Sequence, residues 1–283
     1  MIPPEFDYVA PESLDDALRA LDEGGEDAKL LAGGHSLLPL MKLRLAAPSL
    51  LVDLRRVPGL RGIQRENGTW RIGAMTRHAD LQTRDELGLL AEAAGLIADQ
   101  QVRNRGTIGG SLAHGDPASD LPGVLLAAEG SVTVRGPGGV REIAAGDLFQ
   151  DYLTTSIGPD EVLTEVRIPA FDGWAHGYEK FSRRAEDWAM VGVSALVRAA
   201  ADGTCEDVRI GLTNMASTPL RATAAEEALR GQPLDAEHIA RAAGLAGEGT
   251  DPPGDLNATP EYKRHLARVL SRRALQRAAG AAS

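Results

Sequence analysis

The sequence predicts an α+β protein built from three packed units. Three observations carry that reading. Apolar residues at helical spacing follow Ser13 and sit between short apolar runs; from Pro58 to Pro169 strand-like runs alternate with Asn-Gly, Gly-Pro-Gly-Gly and Gly-Pro turn signals; beyond Gly173 two β-type runs give way to helices. With 283 residues and 43% hydrophobic content, the chain is long enough to bury more than one core.

In chain order, Phe6, Tyr8 and Val9 read as a short strand. Leu14, Ala17, Leu18 and Leu21 form one face of a helix that Ser13 caps and that Gly24 and Gly25 end. Runs 29–32 and 50–54 have the length of buried strands. Between them, AGGHS (32–36) leads into a helix with Leu37, Leu40, Met41 and Leu45 on one face, where Pro39 is tolerated only in the first turn. The second unit is expected to be mostly antiparallel, with strands at 69–72, 131–135 and 162–168. It also holds a helix marked by Leu87, Leu90, Ala91 and Ala94 and another near 121–128. A second glycine loop, TIGGS (107–111), lies between those helices. After a linker at 168–173, strands 190–197 and 208–212 are joined through Asp202-Gly203. Helices follow near 222–229 and 236–246, then a surface loop at 247–257, and Thr259 with Pro260 starts the last helix.

Composition excludes several function classes. A formal charge of −10 argues against nucleic acid as the main partner, because phosphate binding needs clustered Lys and Arg. No apolar run approaches the roughly 20 residues that span a bilayer, and residues 1–7 lack a basic region followed by an apolar stretch, so a cytoplasmic location is expected. A single cysteine, Cys205, rules out an internal disulfide and a four-thiolate zinc or iron–sulfur site made by this chain alone. The histidines show no metal-site spacing. The last helix carries Lys263, Arg264, Arg268, Arg272, Arg273 and Arg277 against Glu261, which reads either as a solvated face or as a docking surface for an acidic partner.

The glycine loops are the strongest chemical signal. A dinucleotide diphosphate accepts several hydrogen bonds and tolerates little crowding, so backbone N–H groups on Cβ-free residues suit it. Gly33 and Gly34, then Gly109 and Gly110, offer such stretches, and Ser36, Thr107 and Ser111 add hydroxyls. Each Gly-Gly pair alone equally marks an ordinary turn. Neither G-x-G-x-x-G nor G-x-x-x-x-G-K-[ST] occurs, which leaves nicotinamide or ATP sites of those folds unsupported.

Three segments in order, KLLAGGHSLLPLMKLRL, QQVRNRGTIGGSLAHGDPASDLP and YEKFSRRAEDWAMVG, resemble the FAD-binding medium subunits of molybdenum hydroxylases, the aerobic carbon monoxide dehydrogenase type above all. The likeness runs from FDY near the start through IGLTNMASTPL to the last helix. It implies a two-subdomain FAD-binding fold of the vanillyl-alcohol-oxidase/PCMH type over 1–170 (subdomains about 1–56 and 57–170) and a smaller α+β domain over 174–283. It further implies non-covalent FAD, a large molybdenum-cofactor subunit, a small 2Fe-2S subunit, a dimer of heterotrimers, and an external acceptor, quinone or NAD. The complex would sit in the cytoplasm, peripheral to the inner face of the membrane.

On matching positions, the resemblance places Leu30, Leu31, Ala32, Gly33, Gly34, His35, Ser36 and Leu37, with Thr107, Ile108, Gly109, Gly110 and Ser111, around the diphosphate and its neighbours. Asp120 would bond the sugar or ribityl portion, Lys180 would lie near the flavin, Ile97 and Leu163 would line the cofactor, and Trp188 stands where that type tends to carry a tyrosine beside the ring. The residues also allow plainer roles: Asp120 as a helix N-cap, Lys180 as a solvated strand lysine, Trp188 as core packing, and His35, His114, Arg103 and Arg105 as loop residues. Changing Gly33 and Gly110 together to valine is expected to leave a folded chain without FAD. The rival readings are a free-standing reductase of the UDP-N-acetylenolpyruvoylglucosamine type, the medium subunit of an aldehyde or N-heterocycle hydroxylase, and an accessory protein that uses the fold without cofactor. The reductase needs a serine or cysteine proton donor and an acid in its C-terminal part, where this chain offers only the STP segment, residues 217–219, and no placed acid.

Overall fold

The computed structural model describes residues 2–282; Met1 and Ser283, the outer bounds of the expected domains, lie outside the described residues. The first unit runs β1 (Asp7–Val9), α1 (Leu14–Gly24), β2 (Ala28–Leu31), α2 (Leu37–Lys42) and β3 (Leu50–Asp53). Its three strands pair in parallel in the order β1-β3-β2. Helix α1 forms where the sequence places it because the Ser13 hydroxyl accepts the Asp16 N–H at 3.0 Å, while Asp15 and Asp16 face the positive end of the helix. Ser13→Ala is expected to remove about 1 kcal/mol of protection from the α1 amides in hydrogen exchange without changing flavin binding.

Helix α2 is shorter than its apolar pattern predicts. Leu45 does not continue the apolar face: Arg44 turns left-handed at φ 59°, and the Leu45 N–H bonds back to the Leu40 carbonyl at 2.9 Å, a closing turn usually left to glycine. Leu43 and Leu45 are therefore exposed.

The second unit contains β4 (Ile63–Glu66), β5 (Thr69–Gly73), α3 (His78–Leu81), α4 (Leu89–Gly95), α5 (Gln100–Arg103), α6 (Ile108–His114), α7 (Asp120–Ala127), β6 (Ser131–Gly136), β7 (Gly139–Ala144), α8 (Ala145–Leu148), β8 (Phe149–Asp151), β9 (Thr154–Thr155) and β10 (Val162–Pro169). Its main sheet is antiparallel in the order β4-β5-β10-β6-β7, so the last strand inserts between two earlier ones; β8 and β9 form a separate ribbon. The β4–β5 hairpin closes on Asn67-Gly68, both at positive φ, as an Asn-Gly hairpin turn requires.

The third unit runs β11 (Ala175–Phe181), β12 (Val191–Ala199), β13 (Cys205–Thr213), β14 (Leu220–Arg221), α9 (Thr223–Leu229), α10 (Ala236–Ala243) and α11 (Pro260–Ala282), with one antiparallel sheet in chain order. Strand β12 is buried along most of its length because helices cover both sheet faces: α11 packs on β11 and β12, and α7 of the second unit packs against β12 and β13. Close approach decides two glycines here. A Cβ at Gly211 would meet the Gly123 carbonyl oxygen at 2.1 Å, and one at Gly177 would meet that of Ala274 at 2.4 Å. Docking of α7 onto the third sheet is what carries Asp120, at the start of α7, to β11.

The basic last helix is only partly a solvated face. Lys263 is fully buried and ion-paired with Asp255 at 2.9 Å, Arg264 donates to the Thr250 carbonyl at 3.2 Å, and Arg277 pairs with Glu92 and Glu179 while donating to the Tyr178 carbonyl at 3.0 Å. Arg268, Arg272 and Arg273 are exposed. No helix among the described residues is long and apolar enough to cross a membrane.

Candidate cofactor-binding site

A cleft of about 570 Å³ runs between the three units, and both glycine loops form its wall. The expected site residues all line it except Leu31 and Ile108. Leu31 packs with Met41 and Leu51 in a small core beneath the first sheet, and Ile108 belongs to the core of the second unit. Alternation along β2 turns Leu30 toward the cleft and Leu31 away from it. Ile108 is buried by the short helix it begins.

The loops serve different purposes. In AGGHS and at the Leu37 that follows it, the backbone N–H groups of Gly33, Gly34, His35, Ser36 and Leu37 have no partner among the described residues. In TIGGS the donors are already spent: Ile108 N–H bonds to the Thr76 carbonyl at 3.0 Å, Gly109 N–H to that of Ala74 at 2.9 Å, and Gly110 N–H to the Thr107 hydroxyl at 3.1 Å. The second loop therefore shapes the wall and leaves the first to bind.

The glycines let the loops touch. A Cβ on Gly33 would lie 2.5 Å from the Arg105 carbonyl oxygen and 2.7 Å from Gly106 Cα; one on Gly109 would lie 2.6 Å from Ala74 Cβ. Gly33→Val with Gly110→Val would therefore act first on the fit between the loops: the added side chain at Gly33 strikes backbone before it reaches any ligand. Helices α2 and α6 span six and seven residues, so individual donors matter here more than a developed helix dipole.

At another part of the cleft, Asp120 and Lys180 form an ion pair at 2.9 Å, with side chains 4% and 6% exposed. Tyr178 donates its hydroxyl to the other Asp120 oxygen at 2.5 Å, and Lys180 also donates to the Leu96 carbonyl at 3.0 Å. Burial pushes the Asp120 carboxyl above its ordinary range, against the pull of Lys180 and Tyr178; burial and Asp120 together raise the Tyr178 hydroxyl well above 10. Three plain readings are thereby corrected. Ser119 takes the position before α7, and the Asp120 oxygens go to Tyr178 and Lys180. Lys180 is not solvated, and Trp188 is 54% exposed on the cleft rim with no part in a core.

His35 and His114 both line the cleft and are held below the usual imidazole range by burial, with Arg105 adding to the shift at His35. Arg103 is not a free loop arginine: it donates to the Ile97 and Ala98 carbonyls at 2.8 and 3.0 Å and fixes the turn at Ala98, whose φ is 42°. Sequence reasoning missed Tyr178 and His78. Tyr178 lies two residues before Lys180 on one strand, so a period of two would have placed both on the same side. His78 carried no local signal, because its place on the cleft wall comes from α3 meeting the loop at Gly106.

The cleft fits a dinucleotide on its own chemistry. Five consecutive donors without partners suit a diphosphate, and a buried carboxylate–ammonium pair and an aromatic rim suit the polar and planar parts. Comparison with known proteins agrees. The model of the FAD binding domain in molybdopterin dehydrogenase matches residues 4–171, and that of the CO dehydrogenase flavoprotein C-terminal domain matches residues 176–278. The chain is 45% identical to the carbon monoxide dehydrogenase medium chain of Hydrogenophaga pseudoflava, over 98% of both chains. It is 43% identical to the 6-hydroxypseudooxynicotine dehydrogenase complex subunit alpha of Paenarthrobacter nicotinovorans, over 98% of this chain and 96% of the other. Its fold superposes with a TM-score of 0.96 and 47% identity on a chain of the solved carbon monoxide dehydrogenase from Hydrogenophaga pseudoflava, covering 100% and 99% of the two chains. Two adjoining domain matches and these full-length likenesses establish that the chain belongs to the family of FAD-binding medium subunits of molybdenum hydroxylases.

Proposed function

We propose that this chain binds one FAD in the cleft and relays electrons within a molybdenum hydroxylase complex, from 2Fe-2S clusters of a small subunit to an external acceptor. The observation that carries the reading is the run of five unpartnered backbone donors at 33–37 facing the same cleft as the Asp120–Lys180 pair. Bound FAD supplies the exchange between one-electron donors and a two-electron acceptor. The chain's own residues hold and orient it. The AGGHS backbone donates to the diphosphate, Asp120 accepts from sugar or ribityl hydroxyls, Lys180 offers positive charge near the ring, and Trp188 forms an aromatic edge at the mouth.

The single cysteine is buried, and its thiol is pushed up to about 11 by burial, so the clusters belong to a partner. Oxidation of the substrate belongs to a large molybdenum-cofactor subunit, in a dimer of heterotrimers located in the cytoplasm and peripheral to the membrane. Carbon monoxide is the substrate we favour, on the 45% and 43% identities to two carbon monoxide dehydrogenase medium chains. The 43% identity to a 6-hydroxypseudooxynicotine dehydrogenase subunit supports assigning the choice of substrate to the large subunit. A quinone is favoured over NAD as acceptor, because the chain's C-terminal part carries no nicotinamide motif.

The test is purification from the native host through a tag on this chain. Expected are two co-purifying chains, molybdenum and iron by metal analysis, a flavin spectrum near one FAD per chain, and bleaching of that spectrum by carbon monoxide. Recovery of a lone yellow protein that reduces a substrate with NADPH would overturn the relay reading.

A further inference from the structure

His78 is a buried histidine on the cleft wall that the site described so far leaves without a task. It is 4% exposed and opens α3, its N–H bonded to the Gly106 carbonyl at 3.0 Å. The ring lies over Gly106: a Cβ there would come within 2.7 Å of His78 Cδ2 and 2.9 Å of Nε2, so only glycine admits the imidazole at this point. Neither ring nitrogen has a hydrogen-bond partner among the described residues, and Nδ1 is sealed from solvent. Gly106 lines the cleft and is the residue against which Gly33 packs, which puts the ring beside the junction of the two glycine loops.

A sealed, unpaired N–H is rarer in proteins than an unpaired acceptor, so the sealed Nδ1 is assigned the lone pair and Nε2 the hydrogen. Nε2–H is then a donor with no acceptor inside the protein, across the loop junction from the unpartnered donors at 33–37. Burial, with His35 and Arg103 nearby, pushes the imidazole pKa down to about 4, and the ring is neutral at physiological pH. Nδ1 alone is sealed; Nε2 keeps exposure to the cleft, so its hydrogen is available to an acceptor that enters there.

We propose that His78 contacts the cofactor, its Nε2–H donating to an oxygen of the diphosphate–ribityl stretch of the dinucleotide held by residues 33–37. The inference rests on the flavin reading of the cleft. It is tested in the deflavinated complex by titration with FAD, followed through flavin fluorescence, together with thermal unfolding before FAD is added. His78→Leu removes the polar ring at similar volume, and His78→Gln restores a donor near the Nε2 position. Expected are unchanged or higher thermal stability of deflavinated His78→Leu, FAD affinity weaker by roughly tenfold or more, the scale of one hydrogen bond to a charged group, and recovery of most of that affinity in His78→Gln. FAD affinity of His78→Leu equal to that of the unsubstituted complex would overturn the inference and leave the flavin reading standing. So would loss of stability in deflavinated His78→Leu with no recovery of affinity in His78→Gln. Failure of the unsubstituted deflavinated complex to take up FAD would overturn the flavin reading and this inference with it.

Discussion

Asp120→Asn is expected to lower the thermal midpoint by roughly 10 °C, the scale of about 3–5 kcal/mol lost when one partner of a buried ion pair is removed. The carboxylate has two oxygens and serves two donors, the Tyr178 hydroxyl and the Lys180 ammonium. An asparagine of the same size offers one acceptor and turns an N–H₂ toward the other donor, so one buried donor is left facing another. Lys180→Met leaves the opposite charge behind. With its cation gone, the buried Asp120 is raised further and holds a proton in the folded chain at pH values where the unfolded chain has released it. The folded state then binds more protons above about pH 4, so the stability of Lys180→Met falls as pH rises, and its deficit is larger at pH 8 than at pH 5. Asp120→Asn combined with Lys180→Met removes both charges and keeps an acceptor for Tyr178, and most of the lost midpoint is recovered. Flavin is not recovered, because the groups that meet the cofactor are gone. Thermal unfolding and flavin content of the three variants check this, and stoichiometric FAD in the double variant would reduce the pair to a structural contact.

Much of the frame was legible because its signals are local. Ser13 ahead of an apolar stripe marks α1, short apolar runs mark β2 and β3, and Thr259-Pro260 marks the start of α11. What sequence alone missed depends on partners far along the chain. Strand β11 reads as polar YEKF, yet its Tyr178 and Lys180 are buried by an aspartate some 60 residues earlier, carried there by the docking of α7 on the third sheet. Lys263 looked like one more charge on a basic helix and is buried against Asp255 of the preceding loop. The two glycine loops divide their roles in a way that the sequence does not show. The glycines of TIGGS carry no free donors at Gly109 and Gly110, and Gly33 is needed as much for contact with Gly106 as for any ligand.

That double duty makes Gly33→Ala a small change that strikes fold and site together. The new methyl would stand 2.5 Å from the Arg105 carbonyl oxygen, 2.7 Å from Gly106 Cα and 3.1 Å from the Arg105 carbonyl carbon. All three are backbone atoms, so no side chain can swing aside; the loops must separate by about an ångström to reach ordinary contact. Overpacking of this kind costs about 1–3 kcal/mol. The larger effect falls on binding, because the five donors at 33–37 are displaced as a block, and His78, packed on Gly106, moves with the opposite wall. The expected result is a folded complex that purifies with almost no flavin. Gly138→Ala is the control: its Cβ meets nothing within 4 Å, and both stability and flavin content should stay within error of the unsubstituted chain. The two variants are compared by flavin absorbance per chain and by thermal unfolding. Full FAD occupancy in Gly33→Ala would mean that the junction of the loops does not position the cofactor.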